Sequence, residues 1–168
     1  MLKFGTSWKI EEKNVDLVTY FFSFSGEWKV FTGPKLPDKE GLLGACAAPL
    51  NSRQIILMGG YSALTNDYTD NAYILTTSTY EWEKKVWAKL KNGPRLDLSC
   101  ASVNWNQDKY VLTAGGWNNS ATNTSELVSD GNERIESITK NMPFKMRSAT
   151  MGELNSQPIL AGGVICTG

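Results

Sequence analysis

The residues of this chain whose types could do chemistry are its arginines, tyrosines, tryptophans, cysteines and scattered carboxylates. There is no histidine among the 168 residues. That removes the commonest metal ligand and the commonest general base together, so catalysis would have to rest on carboxylates, Lys, Tyr or Cys. Neighbouring carboxylates occur at Glu11-Glu12 and at Glu81 and Glu83. Both sets fall in loop or edge sequence, where a solvated face is the ordinary reading. No Cys-x-x-Cys pair, no glycine loop of the phosphate-cradling kind and no Gly-x-Ser-x-Gly elbow is present. Cys46, Cys100 and Cys166 are an odd number of thiols. One must stay free or pair outside the chain, and their strand-like surroundings predict buried thiols rather than a disulfide framework. What remains suits recognition. Arg95 and Arg147 carry the planar fork of donors that matches carboxylates. Tyr61, Tyr68 and Trp117 are aromatic residues in loop sequence, the type that anchors interfaces, and Asn118 stands beside Trp117.

The elements that must position these residues are legible as a repeat. Residues 55–60 read Ile-Ile-Leu-Met-Gly-Gly, an apolar strand closed by two glycines. The phrase returns at 111–116 and 159–163, and in weaker form at 1–6. From Gly5 through Gly59 and Gly115 to Gly162 the steps are 54, 56 and 47 residues, a period that signals repeat architecture. Around each phrase the chain alternates short runs of β-formers with turn residues. Strands are expected at 2–4, 15–24, 28–31, 42–48, 54–58, 71–75, 86–90, 100–105, 109–114, 124–129, 134–138 and 148–153. Residues 8–14, 61–70 and 117–123 read as loops, and 76–85 as a longer turn. Four short strands per unit, with almost no helical periodicity, is the arithmetic of a propeller blade. Lys plus Arg equals Asp plus Glu at 17 each, so no global field draws in nucleic acid or an anionic membrane. No run reaches the length of a membrane span.

At this point the residues resemble the kelch family. The Gly-Gly pair, a later aromatic, a Trp, then Pro and Arg are carried by Gly59-Gly60, Tyr73, Trp87, Pro94 and Arg95. A second copy is Gly115-Gly116, Leu127, Ile135, Pro143 and Arg147. A third is Gly5, Tyr20, Trp28 and Pro37. The resemblance implies an all-β, kelch-type β-propeller of which about three blades are visible. It divides the chain into a partial blade at 1–37, blades at 38–92 and 93–143, and a partial blade at 144–168. It also implies structural roles for Gly59, Gly60, Gly115, Gly116, Gly162, Gly163, Tyr73, Trp28 and Trp87, with the aromatics filling the space between blades. Since propellers usually need four to eight blades, the chain is expected to be part of a longer propeller. Two copies closing a roughly six-bladed ring is the competing arithmetic, and it leaves a surplus strand at each seam.

Kelch domains bind partners through loops at one end of the ring, and loops on rigid scaffolds are where function concentrates. The resemblance therefore implies a protein-interaction module. The partner-binding candidates are Arg95, Arg147, Tyr61, Tyr68, Trp117 and Asn118, with Arg95 and Arg147 placed where some kelch domains present arginine to acidic peptides. An equally weighted reading has the two arginines tying down inter-blade carbonyls. The expectation is a protein partner, no cofactor, no metal and no nucleic acid. The alternatives are a propeller enzyme acting at the central channel, and a structural subunit of a larger assembly. Copper- and iron-dependent enzymes of similar architecture rely on histidine, which is missing here. Asn118-Asn119-Ser120 and Asn123-Thr124-Ser125 are glycosylation acceptor patterns. Together with a likeness to secreted invertebrate kelch proteins they tilt the location toward extracellular, with the compartment left open.

Overall fold

The computed structural model of the chain describes residues 18–22, 28–32, 34–37, 41–105, 108–129, 133–155 and 157–166. Among these, the named elements are all β-strands and every pairing is antiparallel. The expected strand at 2–4 and loop at 8–14, with Gly5 and Glu11-Glu12, lie outside the described residues.

The first described element is a hairpin of β1 (Val18–Phe22) and β2 (Trp28–Thr32), whose register pairs Tyr20 with Val30 and Phe22 with Trp28. Next come β3 (Leu42–Leu43), β4 (Cys46–Pro49), β5 (Gln54–Met58), β6 (Tyr61–Ser62), β7 (Asp67–Tyr68), β8 (Ala72–Thr76) and β9 (Glu81–Lys85). β4, β5, β8 and β9 form a four-stranded meander, while β3, β6 and β7 form a small three-stranded sheet at its end. Asn51 makes the β4–β5 turn by accepting a bond from the Arg53 amide at 2.9 Å, the local side-chain turn at which Asn excels.

A second meander repeats the first. It contains β10 (Ser99–Trp105), β11 (Asp108–Ala114), β12 (Ser125–Ser129) and β13 (Arg134–Ser137). A third unit supplies β14 (Met146–Arg147), the hairpin β15 (Thr150–Leu154) with β16 (Gln157–Ala161), and β17 (Val164–Ile165), which pairs with β14. The registers put the repeats in phase. Leu57 pairs with Tyr73 and Thr113 with Glu126, each one residue before the last residue ahead of a Gly-Gly pair. Tyr73 is therefore equivalent to Glu126, not to Leu127 as the motif spacing had it. In the same way Leu75 pairs with Trp82 and Val128 with Ile135.

The two meanders pack face to face. Ile56, Met58, Ala72 and Ile74 from the first and Val111, Val128 and Ile135 from the second are each at most 2% exposed and belong to one core. Burial on this scale is the main favourable term in folding. Leu57 and Tyr73 point the other way, onto Leu36, as strand alternation requires.

Three expectations change. The fourth strand of the first meander is Glu81–Lys85, not 86–90. Its charges face solvent at a sheet edge, which guards against edge-to-edge pairing. Ala88, Leu90 and Trp87 instead fill the seam between the two meanders from an irregular segment. The stretch 61–70 is not only loop, because it holds the hairpin β6–β7. Cys46 and Cys100 are not free thiols: they form a disulfide between β4 and β10, with a sequence separation of 54. The two strands run side by side, so the repeat period itself brings the thiols together. Cys166 is free.

Candidate functional site

The Gly-Gly turns organise one end of the molecule. Gly59 and Gly115 both have φ +66°, a conformation costly for other residues. A Cβ on Gly115 would stand 2.5 Å from the Met146 carbonyl, and one on Gly59 2.7 Å from that of Arg95. The glycines let the next repeat's chain lie directly against the turn. The Gly60 amide donates to the Arg95 carbonyl at 2.8 Å, and the Gly116 amide to the Met146 carbonyl at 2.9 Å. A shared threonine turn follows. The Asn71 amide bonds Thr69 Oγ1 at 3.1 Å, and the Thr124 amide bonds Thr122 Oγ1 at 3.2 Å.

Just ahead of the first strand of each repeat lies a left-handed residue: Gly44 (φ 65°), Asp97 (φ 56°) and Ser148 (φ 56°). The Asp97 amide donates to the Gly44 carbonyl at 2.8 Å, and the Ser148 amide to the Asp97 carbonyl at 2.9 Å. These bonds make a backbone clasp from one repeat to the next. Ser99 Oγ, which bonds the Ala149 carbonyl at 2.6 Å, reinforces it.

This phase separates the two arginines expected to face a partner. Arg95 is equivalent to Met146, and Leu96 to Arg147. Neighbouring residues of extended chain point to opposite sides, so one guanidinium is inside and the other out. Arg95 is 2% exposed. Its Nε donates to the Gly115 carbonyl at 2.9 Å, its Nη1 to the Gly93 carbonyl at 3.2 Å and its Nη2 to Glu126 at 2.8 Å. Glu126, fully buried, also accepts bonds from the Lys91 and Asn92 amides at 2.9 and 3.1 Å. Arg95 is thus committed to the interior and presents nothing to a partner, which corrects its assignment. Of the two readings weighed for it, tying down carbonyls is the one the geometry has.

Arg147 is half-exposed. Its guanidinium lies over the Trp117 ring with 4.6 Å to the centroid, close enough for cation–π attraction. Its Nη1 is 3.7 Å from Asp97 Oδ2, a loose ion pair, and its Nε is buried with no hydrogen-bond partner. Trp117 is held by reciprocal backbone bonds with Leu96 at 2.7 and 3.0 Å. Asn118 beside it is exposed and donates to the Pro94 carbonyl at 2.8 Å. Tyr61 occupies the place of Trp117 in the preceding repeat. It meets Tyr68 edge-on at 5.6 Å, and its hydroxyl bonds the Asn66 carbonyl at 2.9 Å. Five of the six binding candidates therefore share one end of the molecule, and Arg95 is withdrawn beneath it. Asp97 and Glu126 were not anticipated. The spacing of Asp97 from Gly44 would have pointed to the first; nothing in the pattern marks Glu126, which stands where the first repeat has an aromatic.

Trp28 lies in β2. Tyr73 is fully buried, and Trp87 packs against the main core with its indole nitrogen enclosed. Glu81 and Glu83 are exposed on β9, where Glu83 pairs with Lys85 at 2.7 Å. Among the described residues no three of Cys, Asp and Glu converge as metal ligands would, and no helix is long and apolar enough to cross a membrane.

No family model matches the chain, and no curated protein matches it in sequence. A solved structure, described as "Structure of YjhT", is similar in fold, with a TM-score of 0.62 at 15% identity over 79% of this chain. The match spans 37% of that protein's chain. The likeness concerns the all-β fold alone.

Proposed function

We propose that the chain is a segment of a kelch-type β-propeller that binds a protein partner, through an acidic peptide, at the end bearing its Gly-Gly turns. The observation that carries this reading is Arg147: a half-exposed guanidinium seated on Trp117, with Asp97 only loosely engaged. A carboxylate docking there would gain a charge-assisted, fork-like contact on a support already in place. Tyr61 and Tyr68 add an aromatic platform in the equivalent position of the neighbouring repeat. The propeller reading is supported by successive repeats in one phase, with the first strand β10 of the second adjoining both β4 of the first and β15 of the third. The Cys46–Cys100 disulfide favours an oxidising, extracellular setting.

The test is binding to an array of fluorescein-labelled peptides rich in Asp and Glu, read by anisotropy. Some should bind, with affinity that falls as salt rises. Arg147→Ala should weaken that binding about tenfold or more, the usual scale for a hydrogen bond to a charged group, and Arg147→Lys should fall between. An acidic peptide that binds Arg147→Ala as well as the parent protein, or an array without any binder, would overturn the reading.

A further inference from the structure

Two stretches of the chain carry the pattern that accepts an N-linked glycan, Asn118-Asn119-Ser120 and Asn123-Thr124-Ser125. They are close in sequence, and the fold treats them oppositely. A glycan is bulky and hydrophilic, so its carrier must stand clear of the core. Residues 118–120 are the tip of a tight hairpin. Trp117 and Ala121 bridge each other, and the Asn118 amide donates to the Ser120 carbonyl at 3.0 Å. All three residues of the tip are exposed. Asn119 has φ 55°, a left-handed turn that asparagine tolerates. The exposure follows from loop length. By register Asn118 stands where the first repeat has Ser62, which is 0% exposed within the longer β6–β7 hairpin. The Asn118 side chain is held at both ends: Nδ2 donates to the Pro94 carbonyl at 2.8 Å, and Oδ1 accepts from Asn119 Nδ2 at 3.3 Å.

The second pattern is built into the sheet. Asn123 is half-buried and tied twice to Met142: its carbonyl accepts from the Met142 amide at 2.8 Å, and its Nδ2 donates to the Met142 carbonyl at 3.3 Å. The Thr124 carbonyl accepts from the Gly115 amide at 3.0 Å, and Ser125 opens β12 at 6% exposure. The Cys46–Cys100 disulfide points separately to the compartment where such glycans are added, since the endoplasmic reticulum lumen also forms disulfides. We propose that Asn118 carries an N-linked glycan and that Asn123 does not. In the transfer, Asn118 Nδ2 attacks the anomeric carbon of an oligosaccharide linked to a polyprenyl pyrophosphate, on the host's oligosaccharyltransferase. The nitrogen–carbon bond forms as the bond from that carbon to the phosphate oxygen breaks. The pyrophosphate leaves with the electron pair, and the nitrogen gives up one proton. The hydrogen that stays on Nδ2 is free to keep the bond to Pro94, which fixes the stem of the glycan to the turn. The assignment stands independently of which peptide the Gly-Gly end binds.

The test is to digest the protein from its native source, treat it with peptide-N-glycosidase in heavy-oxygen water and sequence the peptides by mass spectrometry. Conversion to oxygen-labelled Asp is expected at Asn118 and not at Asn123. In parallel, the full chain is secreted from cultured eukaryotic cells behind a cleavable leader. Its glycosidase-sensitive mass should vanish in Asn118→Gln and persist in Asn123→Gln. Ser120→Ala guards against a folding defect, because it deletes the acceptor pattern and leaves Asn118 and its bond to Pro94 in place; it too should lose the mass. Unlabelled Asn118 in the native protein would overturn the proposal. Label at Asn123, with or without label at Asn118, would overturn it equally, as would a glycan that survives Ser120→Ala.

Discussion

At the scale of single residues, the two arginines show how much a shift of one position decides. Arg95 and Glu126 form an enclosed ion pair whose other groups are spent on backbone. Removing one member of a buried pair leaves an uncompensated charge and typically costs about 3–5 kcal/mol. Arg95→Ala and Glu126→Ala should each lower the unfolding free energy from urea denaturation by that amount, while an apolar replacement of both together should recover much of the loss; a double variant as unstable as the sum of the singles would show that the pair is not the unit. Arg147→Ala, at the surface, should leave the unfolding free energy within about 0.5 kcal/mol of the parent. The sequence could name arginine as the residue of interest but not its facing. Arg95 and Arg147 each follow a proline within a few residues, so spacing aligned them. The backbone phase is set instead by the Gly60 and Gly116 amides, which choose Arg95 and Met146.

At the scale of elements, the Gly-Gly turns and most strands were legible, because β-branched runs ending in glycine leave few other readings. β9 was not. Glu-Trp-Glu-Lys-Lys has one apolar residue, and an outer edge strand needs no more: Trp82 packs against the Leu36–Leu57–Tyr73 cluster while Glu81, Glu83 and Lys84 face solvent. The apolar run just after it was read as a strand in its place, yet Ala88 and Leu90 are seam-fillers. Short apolar runs do not reveal whether they sit in a ladder or beside one. The glycines themselves differ in a measurable way. Gly115→Ala places a methyl 2.5 Å from the Met146 carbonyl and adds left-handed strain, whereas Gly93 (φ +90°) has nothing within 4 Å of its would-be Cβ. Gly93→Ala should cost only the backbone term of about 1–2 kcal/mol, and Gly115→Ala clearly more, in thermal or urea unfolding. Equal losses at the two sites would mean that the repeat-to-repeat approach at Gly115 contributes nothing.

At the scale of the whole molecule, the repeats are joined chiefly along their first strands. The Cys46–Cys100 disulfide sits at that seam, as do the hydrogen bonds from Ser102 to the Pro49 carbonyl and from Asn104 to Glu153. Reducing a native disulfide typically costs about 2–4 kcal/mol. The urea midpoint should therefore fall on adding reductant, and denatured protein should titrate one thiol before reduction and three after. An unchanged midpoint would place the restraint elsewhere, in the core shared by the two meanders. The period near 50 residues announced the repeats. It carried no word of the disulfide, because a thiol in a strand looks the same whether or not its counterpart one repeat away lies on the adjoining strand.

The clasp running from Gly44 through Asp97 to Ser148 also bears on how such a chain can change over generations. It is made of backbone atoms, so any side chain that tolerates a left-handed residue can serve it, and three different residue types already do. The segments beyond it are free to differ in length: the Tyr61–Tyr68 hairpin is longer than its counterpart from Trp117 to Ala121, yet the clasp on either side is the same. Inheritance can thus lengthen, shorten or rewrite the outward-facing loops one at a time, with the spacing of the repeats held constant beneath them.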